Sequence, residues 1–358
     1  MALLAERAIT ALRENGDVTS LPRAVSQVDE AQIIALLREH FPAGADADAG
    51  LELGNGDDAA VLAVSGARTV ATVDAVVEDQ DFLPVWPCGY RTTGEDVGYK
   101  SAAQNLSDVN AMGAVPTASL VVLGLPGDTP LEWVAEYARG FSRACRELGA
   151  VDVRVAGGDL SRSGQLTASV TQLGRLGRGE ALTRAGASLG DRVVLAGETL
   201  GRADVALRLL LSDAPEHSLA EWTDLEASVS RALFEPHPPL ALGPAAVGRL
   251  SSLMDISDGL ARDARRLAAA SGVRLCLDEA ALRAEADALR GWAGPLAARG
   301  LGHVLYGGED HLLLGTVPPG GEVPAGFRVI GTVTEGEGVF VGDVALDPRG
   351  AYDHFGGE

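Results

Sequence analysis

Two α+β or α/β domains of similar size are what this sequence predicts, and three observations predict them. The chain has 358 residues, 46% of them hydrophobic, more than one hydrophobic core ordinarily gathers. Short apolar, strand-like runs are interleaved with segments of helical spacing along most of its length. Glycines and arginines cluster in "GRLGRGEALTRAGASLGD", a break that puts a domain boundary near residue 176.

The elements follow in order. Residues 1–26 read as an extension with room for one helix, ending at the helix-start signal "SQVDE". Ile33, Ile34, Leu37 and Phe41 then recur at helical spacing. "AAVLAV" and "TVATVDAVV" read as strands. A helix is expected from about Glu95 to Met112, stopped by Gly113. A strand "ASLVVLGL", a long helix over about 131–148, and strands "VRVAGGD" and "LTASVTQLG" complete this half. Beyond the boundary "RVVLAG" is a strand, and helices fill roughly 200–250. "SLMDIS" leads into a helix from Asp258 to about Ala270, and "VRLCLD", "HLLLGTV" and "VFVGDVAL" are strands. The division is an extension over 1–26, an N-terminal domain over 27–176 and a C-terminal domain over 177–358.

Composition excludes some functions. Fifty acidic residues face 29 basic ones, for a net charge of −21, and Lys100 is the one lysine. Without a basic stripe or an aromatic platform, nucleic acid and anionic membranes are poor partners. The three cysteines lie far apart with no C-x-x-C pair, and the N-terminus lacks an apolar signal core, so a cytoplasmic protein is expected. The uncharged stretch between Asp108 and Asp128 is broken by Asn110, Gly113, Pro116, Gly124 and Pro126, which makes it core and no membrane span.

The chemistry lies in the placement of the aspartates. "LELGNGDDAAVL" sets Asp58 behind a glycine turn at the mouth of a strand. Asp74 interrupts a strand, where aspartate is disfavoured and costly to bury alone. Asp108 shares a helix face with Gln104 and Asn105, Asp159 closes "VAGGDLS", and Asp255 and Asp258 flank Ser257 in "MDISDG". Taken singly, Asp58 reads as a turn residue and Asp258 as a neighbour of a helix N-cap; Asp74 is harder to dismiss in that way. Two carboxylates about 4 Å apart repel by roughly 4 kcal/mol at an effective dielectric near 20. They converge only by taking up protons or holding cations. Oxygen ligands suit Mg²⁺, which is held through one or two carboxylates plus substrate phosphates and water.

Other motifs fail on spacing. "GEDVGYKS" is close to a phosphate-binding P-loop, but Tyr99 separates Gly98 from Lys100 and no strand leads in. There is no H-x-H or H-E-x-x-H pair for zinc, and no G-x-G-x-x-G opening a helix after a strand. "YGGEDH" places Glu309 and Asp310 behind two glycines, as a β-turn or as part of a site.

In order and approximate spacing, "NGDDAAVL", "NLSDVNAMGAVP", "AGGDLSRS", "ALTRAGASLGD", "DISDGLARD", "GGEDH" and "AYDHFG" resemble the thiamine-monophosphate kinases, of the aminoimidazole ribonucleotide synthetase superfamily. The likeness runs from about residue 28 to the end. It implies an α+β fold of two domains with mixed sheets flanked by helices, several Mg²⁺ ions, and a homodimer built through the N-terminal domains. It also implies ATP as co-substrate and phosphorylation of thiamine monophosphate to thiamine diphosphate. By motif match, Asp58, Thr72, Val73 (through its carbonyl), Asp74, Asp108, Asp159, Asp255 and Asp258 are metal ligands. Gly158, Asp159, Arg184 and Ser257 fall at the nucleotide; Asp81, Glu309 and Tyr352 face the acceptor; Asp74, Asp108, Asp258 and Arg184 serve the transfer itself.

The chain departs from that pattern at the acceptor end. Asp81, in "EDQDF", stands where a substrate-contacting histidine is expected, and Tyr306 replaces a small residue. A paralogue acting on another small phosphate ester is therefore the alternative. Selenophosphate synthetase calls for a cysteine and a lysine that residues 1–50 lack, and the hydrogenase-maturation dehydratase for a C-terminal cysteine where this chain reads "FGGE". A non-catalytic divalent-metal module is the reading from another class, since "DADAGLELGNGDD" resembles a calcium loop only faintly. The expected mechanism is in-line transfer to a phosphate that is already a dianion near neutral pH, with no general base.

Overall fold

The structure is a computed structural model that describes residues 51–53, 59–64, 67–212, 222–347 and 350. Its first half contains β1 (Leu51–Leu53), β2 (Ala60–Val64), β3 (Ala67–Val77), α1 (Gly94–Ala111) and β4 (Ala114–Leu125). Next come α2 (Leu131–Glu147), β5 (Arg154–Arg162) and β6 (Thr167–Leu176). The strands form one sheet in the order β1-β2-β3-β6-β4-β5. β4 and β5 are parallel, and α2 is the crossover such a pair requires. β5 extends through Asp159 to Arg162, so this aspartate lies within the strand and does not end it.

α1 is the spine of the molecule. Thr93 caps it by accepting from the Asp96 amide, while the Asp96 carboxylate accepts from the Thr93 amide, a reciprocal box that fixes the start. Gly113, at φ 74, turns the chain out at the other end. Nearly every residue of α1 is buried, so it lacks the polar face of a surface helix. A Cβ on Gly98 would lie 2.1 Å from the Tyr137 carbonyl oxygen, and one on Gly140 2.1 Å from that of Glu95. The absent side chains let α1 and α2 approach to backbone contact.

The second half runs β7 (Arg192–Ala196), α3 (Arg202–Leu210), α4 (Asp224–Ser230), α5 (Leu242–Ala246), β8 (Ser252–Ile256) and α6 (Leu260–Ser271). It continues with β9 (Arg274–Leu277), α7 (Glu279–Ala293), α8 (Leu301–Tyr306), β10 (Leu312–Val317), β11 (Phe327–Thr334), β12 (Gly338–Val341) and β13 (Val344–Ala345). The second sheet has the order β13-β12-β9-β11-β7-β10-β8, mixed because β12 pairs parallel to β9. α6 starts at Leu260, two residues later than the sequence predicts. Gly259, at φ 104, turns the chain, and the buried Asp263 carboxylate takes the Ser257 and Asp258 amides. α7 and β11 were not anticipated. α7 is capped by the Asp278 carboxylate, which accepts from Ala280 and Ala281.

One apolar core runs through both halves. Trp86 meets Phe234 edge to face at 6.0 Å, and Tyr90 stacks on the same ring at 5.6 Å. Asn110 of α1 adds a polar tie, accepting from the Gly243 amide at 3.0 Å and donating to the Pro239 carbonyl at 3.2 Å. The three cysteines are free, and among the described residues no helix is long and apolar enough to cross a membrane. On the outer face of the first sheet Val73 is 63% exposed, alongside Leu120 and Val122.

Candidate active site

Strand register decides which aspartates can meet. Val70 and Val76 of β3 are buried, so residues of the same parity, Thr72 and Asp74, leave the sheet toward α1. The Thr72 hydroxyl donates to Asp108 Oδ2 at 2.7 Å, tying β3 to α1. One turn earlier on the helix, the Gln104 side chain donates to the Ala75 carbonyl at 3.3 Å. Ser107 donates to Asp255 Oδ2 at 2.9 Å, which brings β8 against the same helix. His311 Nδ1 lies 3.1 Å from the same oxygen; Oδ1 takes part in neither bond.

The loop between α8 and β10 closes the cluster. A Cβ on Gly308 would lie 2.6 Å from the Ser257 carbonyl oxygen, so only glycine lets the loop lie on β8 this closely. Glu309 (φ 69) and His311 (φ 53) are left-handed, a strained conformation for residues with side chains. Amide bonds to Ser257 and Ile256 hold them there. Glu309 Oε2 lies 3.0 Å from Lys100 Nζ. Asp310 points the other way and takes the Gly201 and Ala203 amides. It caps α3 from outside, since its N-cap residue, Gly201, carries no side chain.

The electrostatics follow from this crowding. Asp74 opens to solvent, but it stands at the meeting of β3, α1 and the 307–311 loop. Desolvation by its neighbours raises its carboxyl above the usual range; the Ala75 amide and His311 oppose this, and the charges of Glu309 and Asp81 add to it. Water reaching the group moderates the shift. Burial also pushes Asp255 up, but the His311 and Ser107 hydrogen bonds and the charges of His311 and Arg184 outweigh it, holding that carboxyl below the usual range. Burial alone drives Asp310 up to about 7, against the two amides.

Asp310 therefore carries a pH prediction. Its folded-state value exceeds the ordinary 3.8, so folding favours the protonated form. The contribution of this group to stability is then highest at acid pH, declines as pH rises from about 4 to about 7, and levels off above. In Asp310→Asn that part of the decline is expected to vanish, on the order of a few kcal/mol over the full span. Urea midpoints of both proteins between pH 4 and 8 measure it; parallel curves would refute it.

Asp74, Asp108, Thr72, Asp255, Arg184, Glu309 and Asp81 thus belong to one cluster built from separate elements. Ser257 and Asp258 lie at its margin, where Asp258 Oδ2 is 2.6 Å from Arg266 Nη1. Asp81 has turned inward: its carboxylate accepts the Val77 amide at 2.7 Å, four residues back in its own loop. Asp159 is not brought in. It shares a rung with Val122, Ser169 and Ala75, so its side chain leaves the opposite face of the sheet, as that of Val73 does. Gly158 is on the rung of Asp74 but three strands away, about 14 Å. Asp58 and Tyr352 lie outside the described residues.

Sequence reasoning missed Lys100, Ser107 and His311 as members. With Gln104, the first two follow the i, i+4, i+7 spacing of one helix face, which was legible; nothing local marked His311. Among the described residues, no three His, Cys, Asp or Glu side chains are close enough to hold a metal ion alone. The donors are hard oxygens in ones and twos, which fits an ion that completes its shell with phosphate and water.

Residues 56–176 match the N-terminal domain of AIR synthase related proteins. The thiamine-monophosphate kinase of Mycobacterium tuberculosis is 38% identical over 285 residues, 79% of this chain and 80% of that one. That of Corynebacterium glutamicum is 34% identical over 323 residues, 87% and 88% of the two chains. A solved structure of AaThiL complexed with AMPPCP and TMP is similar with a TM-score of 0.78 at 30% identity, covering 94% of this chain and 100% of that chain.

Proposed function

Because this chain belongs to the thiamine-monophosphate kinase family, we propose that it transfers the γ-phosphoryl group of MgATP to thiamine monophosphate, giving thiamine diphosphate and ADP. The observation that carries the reading is the convergence of Asp74, Asp108 and Asp255 from β3, α1 and β8 beside Glu309. Mutual repulsion there is relieved by cations, and a phosphorylated substrate brings its own.

An oxygen of the acceptor phosphate attacks the γ-phosphorus in line, and the bond from that phosphorus to the bridging oxygen of ADP breaks. The acceptor is largely a dianion at neutral pH because its second pKa is near 6, so no side chain need remove a proton. Asp74, Asp108 with Thr72, and Asp255 would hold Mg²⁺, with Asp58 and Asp258 as further ligands. Bound Mg²⁺ supplies charge neutralisation on the transferred group. Arg184, whose charge reaches Asp255, adds positive charge on the nucleotide side with Ser257. Glu309 and Tyr352 face the acceptor, with Asp81 supporting the loop beside it. The boundaries at 26/27 and 176/177 and a cytoplasmic location belong to the same proposal.

Phosphorus NMR of the protein with MgATP and thiamine monophosphate tests this directly. Thiamine diphosphate and ADP should appear one for one, stop on EDTA addition and resume with excess Mg²⁺. ADP without thiamine diphosphate would refute the acceptor, and turnover unaffected by EDTA would refute the metal.

The reading includes a homodimer. The exposed apolar face bearing Val73, Leu120 and Val122 is the kind of surface a second copy covers. Gly158, Asp159 and the Val73 carbonyl then lie at the interface, which is how they enter the site. Val122→Glu should yield monomers by sedimentation velocity where the unaltered chain sediments as a dimer; an unchanged dimer would refute this interface.

A further inference from the structure

Lys100 is the only lysine of the chain and is 1% exposed. Burying an ammonium is costly unless it is paired. Here Nζ lies 3.0 Å from Glu309 Oε2 and donates to the Asp81 carbonyl oxygen at 3.1 Å. The two partners sit on different loops, one following β3 in the first half and one preceding β10 in the second. Each loop is also held locally: the Asp81 carboxylate takes the Val77 amide, and the Glu309 amide binds Ser257. Lys100 joins them to each other.

A buried ion pair is a weak source of stability, since a well-packed apolar residue of similar volume often does as well or better. A methionine would fill this space. What an apolar side chain cannot do is fix a carboxylate and a carbonyl at two hydrogen-bond lengths from one atom. Lys100 also springs from the same face of α1 as Gln104 and Ser107, which reach β3 and β8. The helix that sets the metal-binding carboxylates thereby sets the acceptor loops, in one frame.

Resting on the reading above, we propose that Lys100 is a positioning residue for the acceptor: it clamps the Asp81 loop to Glu309 and so fixes the width and orientation of the acceptor end, without touching the nucleotide. The clamp acts on the binding of thiamine monophosphate and not on that of ATP.

Lys100→Met and Lys100→Gln test this in the full chain. Methionine removes both contacts at similar length; glutamine keeps a donor and loses the charge. The KM for thiamine monophosphate should rise about tenfold or more in the methionine variant, the worth of a charge-assisted hydrogen bond, and less in the glutamine variant. The KM for ATP should stay within about twofold. Independently of any substrate, hydrogen–deuterium exchange should quicken in residues 77–82 and 307–311 and nowhere else. A parallel rise of both KM values, unchanged KM values, or exchange that quickens throughout the chain would overturn the proposal. If the unaltered protein fails to use thiamine monophosphate, the functional reading falls, while the exchange pattern still decides the clamp. Should the methionine variant not fold, the glutamine variant carries both measurements.

Discussion

Asp74→Asn is expected to lower kcat by on the order of 10²–10³-fold while the protein stays folded. Asparagine has nearly the same shape and keeps a carbonyl oxygen able to accept the Ala75 amide, which Asp74 Oδ1 takes at 2.9 Å. What disappears is a charge at the meeting point of β3, α1 and the 307–311 loop. Metal-assisted neutralisation of a transferring phosphoryl group contributes several kcal/mol, and each 1.36 kcal/mol is tenfold in rate. The amide also relieves the repulsion from Glu309 and Asp81, so thermal stability should hold or rise slightly. The Mg²⁺ concentration for half-maximal rate should increase. Wild-type turnover at saturating Mg²⁺ would remove Asp74 from the metal site.

Asp255→Ala is expected to damage the fold as well as the activity. The carboxylate is buried and takes bonds from Ser107 of α1 and His311 of the loop before β10. Alanine leaves both partners buried against a void. Breaking a buried charged pair typically costs about 3–5 kcal/mol, and here the loss falls on a seam between the two halves. The carboxyl is held below its ordinary range, so this stabilisation is present above about pH 4 and fades as pH falls through the depressed value. The gap in urea midpoint between the proteins should therefore be widest near neutrality and close in acid. An alanine variant with the wild-type midpoint at pH 7 would refute the seam, and one with full turnover would refute the catalytic role. Asp255→Asn, which keeps an acceptor for Ser107, should recover part of the stability but little of the activity.

Local order was legible in the residues themselves. α1 begins and ends within one residue of its expected bounds, because a capping box and a terminal glycine are written in adjacent positions. β2, β3 and β6 fall where valine-rich alternation puts them. Asp74 drew notice because an aspartate inside a strand needs a partner. The start of α6 was misjudged because a left-handed Gly259 and the buried carboxylate of Asp263, further along the chain, delay the helix.

What the sequence determined by itself is most of the elements, the two-domain α+β class and the oxygen-rich chemistry of its aspartates, for these depend on neighbours a few positions apart. Tertiary structure alone decided the company each aspartate keeps. Strand register sends Asp74 toward α1 and Asp159 to the opposite face, and helical phase aims Lys100, Gln104 and Ser107 at three different segments. The Asp81 carboxylate accepts an amide of its own loop, and Glu309 meets a lysine from the other half of the chain. The reason is physical: charge and hydrogen bonding act over a few ångströms of space, and which groups come that close is set by packing between segments remote in the chain.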